Sequence, residues 1–243
     1  MRERIWIMGA SEGIGAALAD VWVKQGAQLI LSARSADKLS GLRQKLGDAA
    51  AILPCDVTDP GSLAAAAREI GEGGALDRAI TLAAIYDPGQ VMDTDPDLAA
   101  KIVEVNLTGS YNFARIAAPL LRPGGQLVLT ASVAGYLGLP QGQIYSASKA
   151  GVINLAETLR VELAPAVDVR LVCPGFVDTR LTEKNDFRMP FLMQPDAAAD
   201  AISRGLDKGG FELHFPRRLT LPLKALRAMP YWMSLRLTRR LRQ

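Results

Sequence analysis

Tyr145 and Lys149 stand four residues apart in the stretch I-Y-S-A-S-K. At helical spacing the phenol and the ammonium share one helix face. A free phenol titrates near ~10 and moves protons poorly at neutral pH, but a cation held a few ångströms away favours the phenolate and lowers that value. Tyr145 can then serve as a general acid or base. Ser132 follows an apolar run, at the carboxyl end of a strand where α/β proteins put their ligands, and can hold a substrate oxygen beside the phenol. Tyr and Lys at this spacing also decorate ordinary helix surfaces, so the surrounding elements decide between the two readings.

A second constellation sits near the N-terminus, where Gly9, Ala10, Ser11, Glu12, Gly13, Ile14 and Gly15 follow the apolar run from Arg4 to Met8. Strand, glycine turn and helix start together make a phosphate site: glycines let the backbone approach the ligand, and free N–H groups with the helix dipole favour an anion. The next strand, Gln28 to Ala33, ends at Arg34, where doubly wound folds that prefer a free ribose hydroxyl place an acid. Arg34, with Lys38 and Ser11, points to a 2'-phosphate and hence to NADP(H) over NAD(H), while Glu12 works slightly against it. After a third strand over 50–55, Asp56 and Val57 stand where an adenine ring is hydrogen-bonded and packed, although Asp56 also suits a turn before Pro60.

Around these groups the chain alternates strand and helix, with further strands at 78–84, 126–131, 167–173 and 211–215. That pattern predicts an α/β fold, one doubly wound parallel sheet of Rossmann type in a single domain over 1–215. The 243 residues, 49% hydrophobic with many Ala and Gly, can bury such a core. A helix from about Asp97 to Leu121 carries Asn106, whose amide is either solvated at a helix distortion or turned inward to function. Cys55 and Cys173 end apolar runs with no metal-ligand spacing, which predicts buried reduced thiols and no metal site. The apolar run at the N-terminus is too short for a signal peptide, so the expected location is the cytoplasm.

The glycine turn, Asn106, Ser132, the Tyr145–Lys149 pair and Pro174-Gly175, in this order, resemble the short-chain dehydrogenase/reductase family. The resemblance implies Tyr145 as proton donor or acceptor, Lys149 as the group that lowers its pKa and holds the nicotinamide ribose, Ser132 as the substrate anchor and Asn106 as support for a water relay. It further implies dinucleotide contacts from Gly9, Ser11, Gly13, Ile14, Gly15, Arg34, Asp56 and Val57, with Val177 and Thr179 at the carboxamide. A carbonyl or secondary alcohol would be the substrate, and two copies would pair through the long helices. Two positions depart from the family pattern: Met8 replaces its Thr, and Thr81-Leu82-Ala83-Ala84 replaces its Asn-Asn-Ala-Gly. Met8 against Leu82 is expected to be an apolar substitute for a polar contact between strands, which leaves the cofactor site intact.

Two segments fall outside that chemistry. Phe187, Met189, Pro190, Phe191, Leu192 and Met193 give a loop the apolar character of a lid over a greasy substrate, or of a loop packed on the body. Residues 216–243 form a basic, amphipathic tail: from Leu213 onward there are eight basic residues and no acidic one, against twenty basic and twenty-five acidic before it. Peripheral contact with a membrane and packing on protein both fit that composition, and nucleic acid does not. The rival to an enzyme is a non-catalytic NADP(H) sensor or a membrane-associated scaffold.

Overall fold

The computed structural model describes residues 2–241; Met1, Gln243 and Arg242, one of the tail's eight basic residues, lie outside the described residues. Strands this apolar must be covered on both faces, which a parallel sheet between helix layers achieves. They are β1 Arg4–Met8, β2 Gln28–Ser32, β3 Ala50–Ile52, β4 Leu76–Thr81, β5 Leu121–Thr130, β6 Val167–Pro174 and β7 Glu212–Phe215. Between them run α1 Gly13–Lys24, α2 Ala36–Leu46, α3 Pro60–Glu72, α4 Pro96–Val103, α5 Gly109–Ala117, α6 Gln143–Glu162 and α7 Pro195–Asp207. The sheet order is β3-β2-β1-β4-β5-β6-β7 with every neighbour parallel. The order reverses between β1 and β4, and the crevice at their carboxyl ends is where such sheets bind ligands.

Alternation along β1 feeds two cores. Ile5 and Ile7 join Leu18, Trp22 and Leu31 under one face, while Trp6 and Met8 join Phe113, Leu127 and Leu129 under the other. Each such side chain contributes roughly 1.5–3 kcal/mol on burial. The Trp6 indole donates to Ser32 Oγ at 2.9 Å, and that hydroxyl donates to Leu53 O at 2.7 Å, so these two buried donors are satisfied.

Several boundaries differ from the sequence expectation for local reasons. β3 ends at Ile52 rather than Cys55, although Leu53 N and Cys55 N still donate to Leu31 O and Ala33 O of the neighbouring chain segment at 2.9 and 3.2 Å; Pro54, on the outer side of this edge strand, needs no N–H there. β5 begins at Leu121, ahead of Pro123 and Gly124, and its register with β4 slips between Leu76–Leu121 and Arg78–Gln126. The single helix expected over 97–121 is a compound: α4, a π-helical turn at Glu104–Thr108, then α5 and a 3-10 turn at Ala118–Leu120.

The tail folds as α8 Arg217–Ala228 and α9 Tyr231–Thr238. Among the described residues no helix is long and apolar enough to cross a membrane.

Candidate active site

β5 and α6 deliver the sequence-predicted chemistry to one corner. Ser132 leaves β5 in an extended conformation and opens a 3-10 turn, Val133–Gly135, its hydroxyl accepting from Ala134 N at 3.2 Å. That turn lies so close to α6 that a Cβ on Gly135 would stand 2.7 Å from the Lys149 carbonyl carbon. Lys149 is 2% exposed and donates to Thr130 O, at the end of β5, at 2.9 Å. Its Nζ lies 5.8 Å from the centroid of the half-buried Tyr145 ring.

The electrostatics differ from the expectation that Lys149 depresses the phenol. Burial pushes Tyr145 up to about 12, with the Ser132 hydroxyl pulling the other way and Tyr86 adding to the rise. Burial also lowers Lys149 to about 8 from its ordinary 10.5. A phenol held protonated at neutral pH is poised as an acid.

Asn106 is both distorted and inward. The π turn rotates its side chain into the interior, where it is 0% exposed. Its Oδ1 accepts from Ile85 N at 2.8 Å, and its Nδ2 donates to Ile85 O at 3.0 Å and Ser148 Oγ at 3.1 Å. One amide thereby ties the loop after β4 to the helix that carries Tyr145.

That loop supplies a residue the sequence reading missed. The Tyr86 ring packs on Tyr145 at 4.7 Å between centroids, and its hydroxyl donates to Asn185 Oδ1 at 2.9 Å. Beside it Lys184 bonds Asp87 at 2.7 Å, so two contacts join the β4 loop to the apolar loop expected to be a lid. In that loop Phe187 packs on Phe176 at 5.8 Å, while Phe191 and Leu192 face outward. The available signal was position: Tyr86 follows the carboxyl end of a central strand.

A cavity of about 810 Å³ opens at the switch point, lined by the glycine turn, Arg34, Asp56, Val57, Leu82, Tyr86 and Thr179 among others. Its glycines are required. A Cβ on Gly9 (φ +85) would stand 2.6 Å from Ala83 N, and one on Gly15 would stand 2.1 Å from Gly9 O. Glu12 precedes α1 with no side-chain cap, which leaves the helix N-terminus to an anion. These features fit a dinucleotide: the glycine turn with Ser11 and Ile14 would hold its phosphates, and Asp56 and Val57 its base.

Arg34 is exposed at the cavity rim, and Lys38, counted on for a phosphate, bonds Glu12 at 2.5 Å. Burial alone would raise Asp56, but Thr58 donating through its backbone N–H at 2.9 Å and hydroxyl at 2.8 Å, with Arg34 and Lys101 nearby, holds it below the usual carboxylate range. Val177 is buried, its backbone bridged to Met193.

The expected apolar side-chain contact between Met8 and Leu82 is not made. Leu82 N donates to Met8 O at 2.8 Å, yet Met8 belongs to the core of one sheet face and Leu82 packs against that of the other. Each departure is absorbed by its own core. Cys55 and Cys173 are buried free thiols, pushed up by burial to about 11 and about 12. Among the described residues no cluster of His, Cys, Asp and Glu could hold a metal.

A doubly wound parallel sheet with a glycine cradle at its switch point defines a nucleotide-binding α/β protein. The family model for short chain dehydrogenases matches residues 3–188. An uncharacterized oxidoreductase of Myxococcus xanthus is 32% identical over 232 residues, covering 92% of this chain and 91% of that protein. An 11-beta-hydroxysteroid dehydrogenase-like protein of Arabidopsis thaliana is 32% identical over 225 residues, covering 86% and 71%. Among solved structures, a short chain dehydrogenase from Burkholderia cenocepacia in complex with NADP superposes with a TM-score of 0.86 at 27% identity, over 97% of each chain. An alcohol dehydrogenase from Thermococcus sibiricus complexed with 5-hydroxy-NADP gives 0.79 at 27% identity, over 88% of this chain and 96% of the other. The chain belongs to the short-chain dehydrogenase/reductase family of oxidoreductases.

Proposed function

We propose that the protein is an NADP(H)-dependent carbonyl reductase or secondary-alcohol dehydrogenase with Tyr145 as its general acid and base. The observation that carries this reading is the meeting of Tyr145, Lys149 and Ser132 at the ends of β5 and α6, with Asn106 bonded into the same corner. The bound nicotinamide would supply the hydride. Ser132 then holds the substrate oxygen, Tyr145 gives it a proton, and the Lys149 ammonium stabilises the phenolate left behind. Arg34 favours the 2'-phosphate of NADP(H) over NAD(H).

The half-buried Phe187, Met189 and Met193 of the lid favour an apolar carbonyl. Val103, Tyr111 and Val161, exposed on or beside α4–α6, support a homodimer through those helices. Residues 1–215 form the catalytic unit in this reading, and it works in the cytoplasm with 216–243 touching the inner face of a membrane.

NADPH consumption over a panel of apolar carbonyls, with Tyr145→Phe as control, tests the assignment; equal turnover by the variant would overturn it. The rival, a nucleotide sensor or membrane-associated scaffold, draws on the Tyr86 ring that covers Tyr145. Tight NADPH binding with no hydride transfer to any carbonyl would favour it.

A further inference from the structure

The two tail helices pack in opposite senses. α8 is amphipathic in the ordinary way: Leu219, Leu223 and Leu226 lean on the body, and Lys224 reaches inward to bond Glu212. α9 is turned inside out. Its buried residues are Ser234 and Thr238, one turn apart, while Tyr231 is 82% exposed, Trp232 73% and Leu235 60%. Isolated exposed apolar residues are common, but a helix that buries its hydroxyls and presents an indole, a phenol and a leucine together has an interaction face.

The charges say what that face meets. Arg236, Arg239 and Arg240 are exposed on the same helix or directly after it, and no acidic residue follows Glu212 in the chain. Among the described residues Lys224–Glu212 is the only ion pair of the tail. A second copy seated here by a two-fold contact would set the same arginines against each other in low dielectric. Water leaves the indole and leucine unburied. An anionic bilayer surface satisfies both sets: aromatic and aliphatic groups enter the headgroup boundary while guanidinium groups stay at the phosphates. Eight residues span about 12 Å, so the helix lies in the plane of the surface.

We propose that α9 is a membrane-docking face, which seats the protein on anionic lipid through Tyr231, Trp232 and Leu235 with Arg236, Arg239 and Arg240. No part of this depends on the oxidoreductase chemistry, and the test needs no substrate. Trp6 and Trp22 are buried at 0% and 1% exposure, so Trp232 is the tryptophan whose emission reports on the face.

The full chain is mixed with vesicles of phosphatidylcholine alone or containing about 30% phosphatidylglycerol, and followed by sedimentation and tryptophan emission. We expect binding at least about tenfold tighter to the anionic vesicles, a blue shift on binding, and release by salt. The double variant Trp232→Ser/Leu235→Ser should lose about tenfold in vesicle affinity with its melting temperature and NADPH binding unchanged. Equal sedimentation of variant and parent, or none of either, overturns the proposal. So does a parent oligomer that the variant converts to a smaller species, since a second copy would then cover the face.

Discussion

At the Tyr145 end of the site, polar groups are fixed by partners from other elements: Lys149 by Thr130 of β5, Asn106 by Ile85 of the β4 loop and Ser148 of α6. At the other end, the rim of the cavity beside the glycine turn, Arg34 is exposed and Lys38 is tied only to Glu12 in a solvent-facing pair. Burial changes titration at the first end, where Tyr145 is pushed up to about 12 and Lys149 down to about 8. Under the function proposed above, the contrast assigns chemistry to the first end and the choice between cofactors to the second. Changes at the first should therefore cost rate or stability, and changes at the second selectivity alone.

The widest separation is expected at Tyr145. Tyr145→Phe keeps the ring against Tyr86 but removes the transferable proton, so kcat for carbonyl reduction should fall by about 10²–10⁴-fold with the NADPH Kd nearly unchanged. A Kd that rose in step with the loss of kcat would erase the division between the two ends.

Lys149→Met comes next, with a loss of about 100-fold in kcat/KM expected in steady-state assays. Its stability signature has a definite sign. Burial lowers the folded-state value to about 8 from 10.5, so between these limits the unfolded chain still holds a proton that the folded one has released. Stability contributed by this site therefore rises with pH across that window. Urea midpoints of the parent should show the rise and those of Lys149→Met should lack it; parallel curves would mean that the ammonium is not so buried.

Asn106→Ala strands the Ile85 backbone groups and takes a donor from Ser148, which should cost about 2 kcal/mol of stability in chemical denaturation as well as activity. An unchanged denaturation midpoint would show that the π turn survives without its amide. Arg34→Asp is the smallest in energy and tests the other end: the ratio of NADPH to NADH affinity should drop by about tenfold with no change in melting temperature. A fall in melting temperature there would blur the comparison.

Much of this was legible in the amino-acid order. Strand and helix alternation gives the sheet, and the glycine turn and the tyrosine helix are local patterns whose meaning depends on spacing. Contacts made by distant segments were not. The sequence allowed two readings of Asn106, and only the π turn against Ile85 and Ser148 shows that distortion and inward orientation occur together. Tyr86 reaches Tyr145 across 59 residues of chain, and Lys38 is claimed by Glu12 rather than left free. Met8 and Leu82 point into different cores because strand pleating, not composition, decides the side. For the tail, composition left membrane and packing level because it does not say which face each helix buries; that is a property of the folded body.

Lys224 has a consequence for the order of events during synthesis. A chain leaves the ribosome N-terminus first, and β7 emerges with Glu212 before α8 exists to meet it. Until α8 follows, the Glu212 carboxylate, which also accepts from the Tyr136 hydroxyl, lacks its ammonium, and the core around Leu223 lies open to water. The β7 edge of the sheet is thus the last to be sealed, and it closes only when α8 brings Lys224 and Leu223 onto it.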